Sequence, residues 1–167
     1  MNKMLVVYYS WSNGNTEKVA KQLQEATGSD IVHIEMIEPY TGDYDKIVEQ
    51  GREEVSLGFK PAIKPLVVNW KEYDMVAVGT PTWWYTMAPA MASFLSSQDW
   101  CGKTVVPFMT NGGWPGHVIE DIKKACQGAK FIQKMEVRFD SSGGSHMETA
   151  ESEIEAWIKG VKQNLLS

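Results

Sequence analysis

No run of apolar residues in this chain approaches the roughly 20 needed to cross a bilayer as a helix. The N-terminal run Met4–Tyr9 is too short for the apolar core of a secretory signal and gives way to polar residues. A soluble, cytoplasmic protein with no membrane partner is therefore expected. Cysteine is scarce: Cys101 and Cys126 form no CxxC pair and have no metal-ligand spacing. The histidines, His33, His117 and His146, are scattered, so no metal is expected. Lysine and arginine are nowhere clustered, and the net charge is −5, which argues against nucleic acid as a partner. The GxxxxGK[ST] pattern of nucleoside triphosphate hydrolysis is missing. So is any GxG, without which the dinucleotide fingerprint fails.

What is present is ordered. The 167 residues suit one domain, residues 1–167, long enough for a full core. Apolar runs of strand length alternate with segments of helical periodicity. Lys3–Tyr9, Asp30–Met36, Tyr73–Gly79, Lys103–Met109 and Lys130–Phe139 are expected as strands. Thr16–Thr27, residues 43–57, Ala88–Ser96, His117–Ala125 and Thr149–Leu165 are expected as helices. Strand–helix alternation implies an α/β fold: one parallel sheet of five strands covered by helices on both faces, three layers in all. For five strands the common order is 2-1-3-4-5. Ligands then bind beyond the carboxyl ends of the strands, where the order reverses, which directs attention to the loops after strands one, three and four.

The first of these loops carries Ser10, Trp11, Ser12, Asn13, Gly14, Asn15 and Thr16. Three hydroxyls and two amides there are more than one helix cap requires. With no cation among them, they supply neutral donors beside a helix N-terminus, a natural seat for a phosphate monoester. The second loop runs Thr80, Pro81, Thr82, Trp83, Trp84, Tyr85. The third runs Thr110, Asn111, Gly112, Gly113, Trp114, Pro115, Gly116, His117. Of seven tryptophans, Trp11, Trp83, Trp84 and Trp114 fall on these loops, and aromatic faces stack on planar ligands. A phosphate seat beside ring-bearing and glycine-bearing loops fits FMN. His117, after the third loop, is a weak catalytic candidate.

These residues resemble the flavodoxin family. Its phosphate loop reads approximately [ST]x[ST]GxT; here Ser10–Thr16 is one residue longer, leaving either Asn13 or Asn15 as the amide that meets phosphate. The stretch GTPTWWYTM is similar to the ring loop of flavodoxin-like NAD(P)H:quinone reductases, near GTPTxFGxM. The resemblance implies a flavodoxin-like fold and one non-covalent FMN. Phosphate contacts are implied from Ser10, Ser12, Asn15 and Thr16, and ring contacts from Pro81, Thr82, Trp83, Trp84, Gly112 and Gly113. It implies one of two partners: NAD(P)H with a small acceptor such as a quinone, for an oxidoreductase, or a redox protein, for an electron carrier. A flavin-binding module without turnover is a third, weaker alternative. Charge is too modest for strong steering to a basic partner, which favours the oxidoreductase. The ring loop Thr80–Ala88 contains no glycine, so no positive φ is expected among its bulky residues, and reduction in one two-electron step is expected with it.

Overall fold

The structure, a computed structural model, describes residues 3–11, 14–142 and 144–167. Strand β1 (Met4–Tyr8) is buried along its whole length, as a run apolar at every position predicts. It is followed by α1 (Asn15–Thr27), β2 (Asp30–His33), α2 (Tyr44–Leu57), a short 3-10 turn, β3 (Met75–Trp83), β4 (Thr86–Met87), α3 (Pro89–Ser96), β5 (Thr104–Asn111), α4 (Val118–Ala125), β6 (Lys130–Phe131), β7 (Met135–Arg138) and α5 (Glu151–Leu166). The alternation of side chains along β1 divides the core. Met4, Val6 and Tyr8 pack with Val19, Leu23, Ile154 and Trp157 of α1 and α5. Leu5 and Val7 pack with Ile47, Met91, Phe94, Leu95 and Ile122 of α2, α3 and α4. Helices therefore cover both faces of one sheet, the three-layer arrangement expected.

The sheet itself corrects the expected five strands in the order 2-1-3-4-5. Among the described residues seven strands are present, with the path β2-β1-β3-β5-β6; β4 pairs with β3, and β7 pairs with β5. Two local causes account for the difference. The expected strand Lys130–Phe139 is broken at Gln133, whose φ is 50°. Gln133 is held there by the Trp157 indole, which donates to its carbonyl at 2.7 Å. Both halves pair in parallel with β5. The second cause lies after Gly79, where a loop is expected: β3 instead continues to Trp83, turns at Trp84–Tyr85 and returns as β4 in antiparallel register, Trp83 opposite Thr86. The reversal between β1 and β3 is as expected, and the parallel pairing of β1 with β2, of β1 with β3 and of β3 with β5 is continuous.

Helix ends follow local chemistry. Asp43 caps α2, accepting from the Lys46 N–H at 2.9 Å. Gly28 closes α1 in the left-handed region, φ 68°. Among the described residues no helix is long and apolar enough to cross a membrane, and no three His, Cys, Asp or Glu side chains are grouped so as to hold a metal ion. Both cysteines are free; Cys126 is buried, which pushes its thiol up to about 12.

One polar contact pins α1 to β1. The Tyr8 hydroxyl donates to Glu17 Oε1 at 2.9 Å, and Lys21 lies 3.4 Å from the same oxygen. The Tyr8 hydrogen bond, with lesser help from Lys21, holds the Glu17 carboxyl below its ordinary 4.5. A carboxyl lower in the folded than in the unfolded chain adds stability above the unfolded value. That stability disappears as pH falls through the folded value. Stability should therefore decline as pH drops below 4.5. In Tyr8→Phe the decline over that window should be shallower, and the variant should lose about 1 kcal/mol at pH 7, the bond being partly exposed. Urea unfolding from pH 3 to 7 reads both; parallel pH profiles for the two proteins would disprove the linkage.

Candidate functional site

A cavity of about 380 Å³ opens at the carboxyl ends of β1, β3 and β5, the size of a small-molecule site. It is assembled from segments far apart in the chain, each brought there by the sheet.

The first segment is the β1–α1 turn. Gly14 adopts φ 72°, a conformation open to glycine, and leads into α1 with no side-chain cap at that residue. Ser10 turns inward to accept the Glu17 N–H at 3.3 Å, so it serves as a helix cap and does not line the cavity. Trp11, Asn15 and Thr16 do line it. Thr16 is 1% exposed, its hydroxyl 2.8 Å from that of Thr110 on β5. Asn15 donates to the Gly144 carbonyl at 3.2 Å. Ser12 and Asn13, also expected in this seat, lie outside the described residues.

The β3–β4 hairpin forms the second wall. Pro81, Thr82, Trp83 and Trp84 line the cavity. Thr80 is buried and ties the hairpin shut: its hydroxyl donates to the Pro81 carbonyl and accepts the Ala88 N–H, both at 3.0 Å. Trp83 is sunk into the core, stacked on Tyr40 at 5.3 Å and edge-on to Trp11 at 5.2 Å. It can lie there because the facing position of α2 is Gly51, where a methyl would fall 1.8 Å from Trp83 Nε1. Trp84 donates from Nε1 to the Val48 carbonyl at 2.8 Å, clamping the hairpin onto α2.

The turn overturns the expectation of no positive φ in this loop, and with it the ground for expecting reduction in a single two-electron step. Trp84 and Tyr85 have φ 50° and 70°, two left-handed residues in a two-residue hairpin, a conformation usually filled by asparagine and glycine. The neighbours determine it. The His117 N–H donates to the Tyr85 carbonyl at 2.8 Å, the Trp84 indole is anchored on α2, and Gly116 abuts Tyr85 so closely that a methyl there would meet its carbonyl oxygen at 2.2 Å. Tyr85 itself points away from the cavity lining and is 55% exposed.

From the β5–α4 segment come Thr110, Asn111, Gly112 and Trp114. Asn111 is a turn residue, its side-chain oxygen accepting the Gly113 N–H at 2.7 Å. Gly113 does not line the cavity; it has φ 113° and faces the Arg138 guanidinium.

Two contributors lie beyond the three loops the sequence singled out. Tyr44 and Val48 of α2 line one side, Tyr44 stacked on Trp11 at 5.6 Å. Phe139–Ser142 and Gly144, after β7, line another. Asp140 accepts from the Ser142 N–H and hydroxyl at 2.9 and 2.7 Å, which holds its carboxyl below the ordinary range. The polar stretch after the last strand, Asp140-Ser141-Ser142 followed by two glycines, is a signal of the same kind as the first loop. Tyr44 leaves no local signal.

The donor set suits a ligand that is part anion and part ring. Neutral hydroxyl and amide groups sit at a helix start, with no lysine or arginine lining the cavity. Aromatic faces and two glycines complete the lining. Thr82 Oγ1 and Trp83 Nε1 are buried with no partner among the described residues. Trp83 Nε1 is turned onto Gly51 of α2; Thr82 lines the cavity, and its orphaned hydroxyl is what a heteroaromatic ring edge would satisfy. The residues present thus fit a phosphorylated planar cofactor.

Comparisons with known proteins agree. A family model described as flavodoxin matches residues 3–134. A flavodoxin of Haemophilus influenzae is 29% identical over 84 residues, half of this chain and 34% of that protein. The crystal structure of a candidate flavoprotein from Bacteroides eggerthii is 30% identical, covering 95% of this chain and 97% of that one, with a TM-score of 0.75. A flavoprotein in complex with FMN from Lactobacillus acidophilus, 22% identical over 94% of this chain and 99% of that one, has a TM-score of 0.70 and shares the fold. The chain belongs to the flavodoxin family.

Gly51→Ala should force Trp83 out of its seat. We expect a loss of about 1–3 kcal/mol and a shift in tryptophan emission, read by urea unfolding and fluorescence. A variant equal to the wild type in both would show the contact to be soft.

Proposed function

We propose that the cavity binds one FMN and that the protein is an FMN-dependent oxidoreductase, taking electrons from NAD(P)H and passing them to a small planar acceptor of the quinone class. Bound there, FMN supplies reversible two-electron chemistry that no side chain of this protein can supply. The residues proposed to hold its phosphate are Asn15 and Thr16, with Ser12 and Asn13 from the same turn and Ser10 and Gly14 shaping it. Those proposed to hold the ring are Pro81, Thr82, Trp83, Trp84 and Gly112, supported by Thr110 and Asn111. Tyr85 and Gly113 shape the two loops behind them.

The observation that carries the acceptor class is the rim. Trp114 is 61% exposed and Trp84 38%, and both line the cavity, an apolar, ring-bearing mouth suited to stacking a flat neutral molecule. The charges near it are of both signs: Arg52 lies 5.7 Å from the Trp84 ring centre, Arg138 pairs with Glu148 at 2.9 Å, and Asp140 lines the cavity. Such a rim gives little steering to a charged redox protein. Membership of the flavodoxin family is the observation that favours the second reading, an electron carrier between proteins.

Turnover of a neutral quinone with NADH or NADPH should exceed that of free FMN and change little with salt. No turnover with either nucleotide, together with reduction of a basic redox protein that slows steeply as salt rises, would decide for the carrier.

The phosphate seat has its own test. Asn15→Ala and Thr16→Ala together should weaken FMN more than riboflavin, by about 1–3 kcal/mol for each lost hydrogen bond. Flavin fluorescence titration measures both ligands, and equal weakening would place the phosphate elsewhere.

A further inference from the structure

Beside the cavity mouth, His117, Asp121 and Thr86 form a connected set. Asp121 Oδ2 meets His117 Nδ1 and accepts the Thr86 hydroxyl at 2.5 Å. The three come from different places: Thr86 from β4, Asp121 from the first turn of α4, and His117 from the residue before that helix. Position and orientation are both determined. The His117 N–H holds the Tyr85 carbonyl, directly after cavity-lining Trp84, and His117 follows cavity-lining Trp114 by three residues. The His117 backbone is thus fastened at the seam of the two loops that form the mouth, and its ring, outside the cavity lining itself, is held beside that seam by Asp121. Asp121 is largely covered, its side chain 23% exposed, while that of His117 is 62% exposed. With Nδ1 committed to the carboxylate, the nitrogen left for a bound molecule is Nε2.

A helix-start ion pair would need only His117 and Asp121. The Thr86 hydroxyl on the same oxygen goes further, fixing the carboxylate as an acceptor and with it the neutral tautomer protonated at Nδ1. That is the state in which imidazole is left after giving up a proton from Nε2.

Resting on the oxidoreductase reading above, we infer that His117 is the proton donor to the acceptor, with Asp121 and Thr86 as its positioning residues. Reduction of a quinone to a hydroquinone takes two electrons and two protons. A hydride from a donor of the nicotinamide class brings both electrons and one proton, leaving the donor oxidised and one quinone oxygen anionic. The Nε2–H bond of the His117 imidazolium breaks and an O–H bond forms on that oxygen. The imidazole is left neutral with Nδ1–H still on Asp121, and it regains its proton from water.

The test separates this role from the reading beneath it. Holoprotein reduced photochemically, without nicotinamide, is mixed in a stopped-flow instrument with benzoquinone or with ferricyanide, which takes an electron and no proton. In His117→Gln the rate with benzoquinone should fall relative to that with ferricyanide on the order of 10²-fold. Imidazole should restore the rate of His117→Ala. Nitrogen NMR of the FMN-free protein should show neutral His117 protonated at Nδ1, and Asp121→Asn should abolish that preference. Equal slowing with both acceptors, no slowing, or a neutral ring protonated at Nε2 would overturn the assignment. Failure of NAD(P)H to reduce the wild-type holoprotein would overturn the oxidoreductase reading instead.

Discussion

Trp83 lies against a helix position that has no side chain, and most of the cavity wall depends on that contact. Because Gly51 leaves the surface of α2 bare, the indole can enter the core and still form the wall at the carboxyl end of β3. The rings around it follow: Tyr40 stacks on one face, Trp11 meets it edge-on, and Tyr44 stacks on Trp11. Tyr40 is tied in turn to the buried Glu54 carboxylate at 2.7 Å; burial, with that bond second, raises its hydroxyl far above the ordinary range. Four rings from four segments thus form one rigid side of a site. Rigidity of this kind lets a protein hold a flat ligand without spending binding energy on ordering the wall.

The opposite constraint is strain. Left-handed backbone costs a bulky residue of order 1 kcal/mol or more, and the Trp84–Tyr85 turn carries it twice in succession. Three contacts hold the turn in place: the indole bond to Val48, the His117 N–H on the Tyr85 carbonyl, and the close fit of Gly116. Those same contacts join α2, the hairpin and the β5–α4 loop into one rim. The strain therefore coincides with the place where the site must be specific in shape, and the glycine that makes it possible lies on the partner loop.

Electrostatics in the cavity are quiet. The end lined by Asn15 and Thr16 uses neutral donors and a helix start, while the carboxyls of Glu17 nearby and of Asp140 in the lining are held by their own hydrogen bonds to Tyr8 and Ser142. A site without a cation binds an anion through geometry and dipoles, and so it depends on the turn at Gly14 and on the Thr16–Thr110 contact that fixes the helix start to the sheet.

By itself the sequence determined the alternation of strand and helix, the buried faces of α1, α3 and α5, the reversal point, and the three loops that supply Trp11, Asn15, Thr16, Pro81, Thr82, Trp83, Trp84 and Asn111. Those features follow from periodicity, composition and chain order, which are local or nearly so. Only the tertiary structure decided that Ser10 caps α1, that β3 runs on through Trp83, and that Trp84 and Tyr85 take positive φ. It alone broke the last strand at Gln133 and brought Tyr44, Val48 and Asp140 to the cavity. Three of these rest on a partner far away in sequence: Gly116 for the turn, Trp157 for Gln133, Gly51 for Trp83. A glycine's lack of a side chain is visible in the chain, but which ring will fill the space it leaves depends on how two distant segments pack.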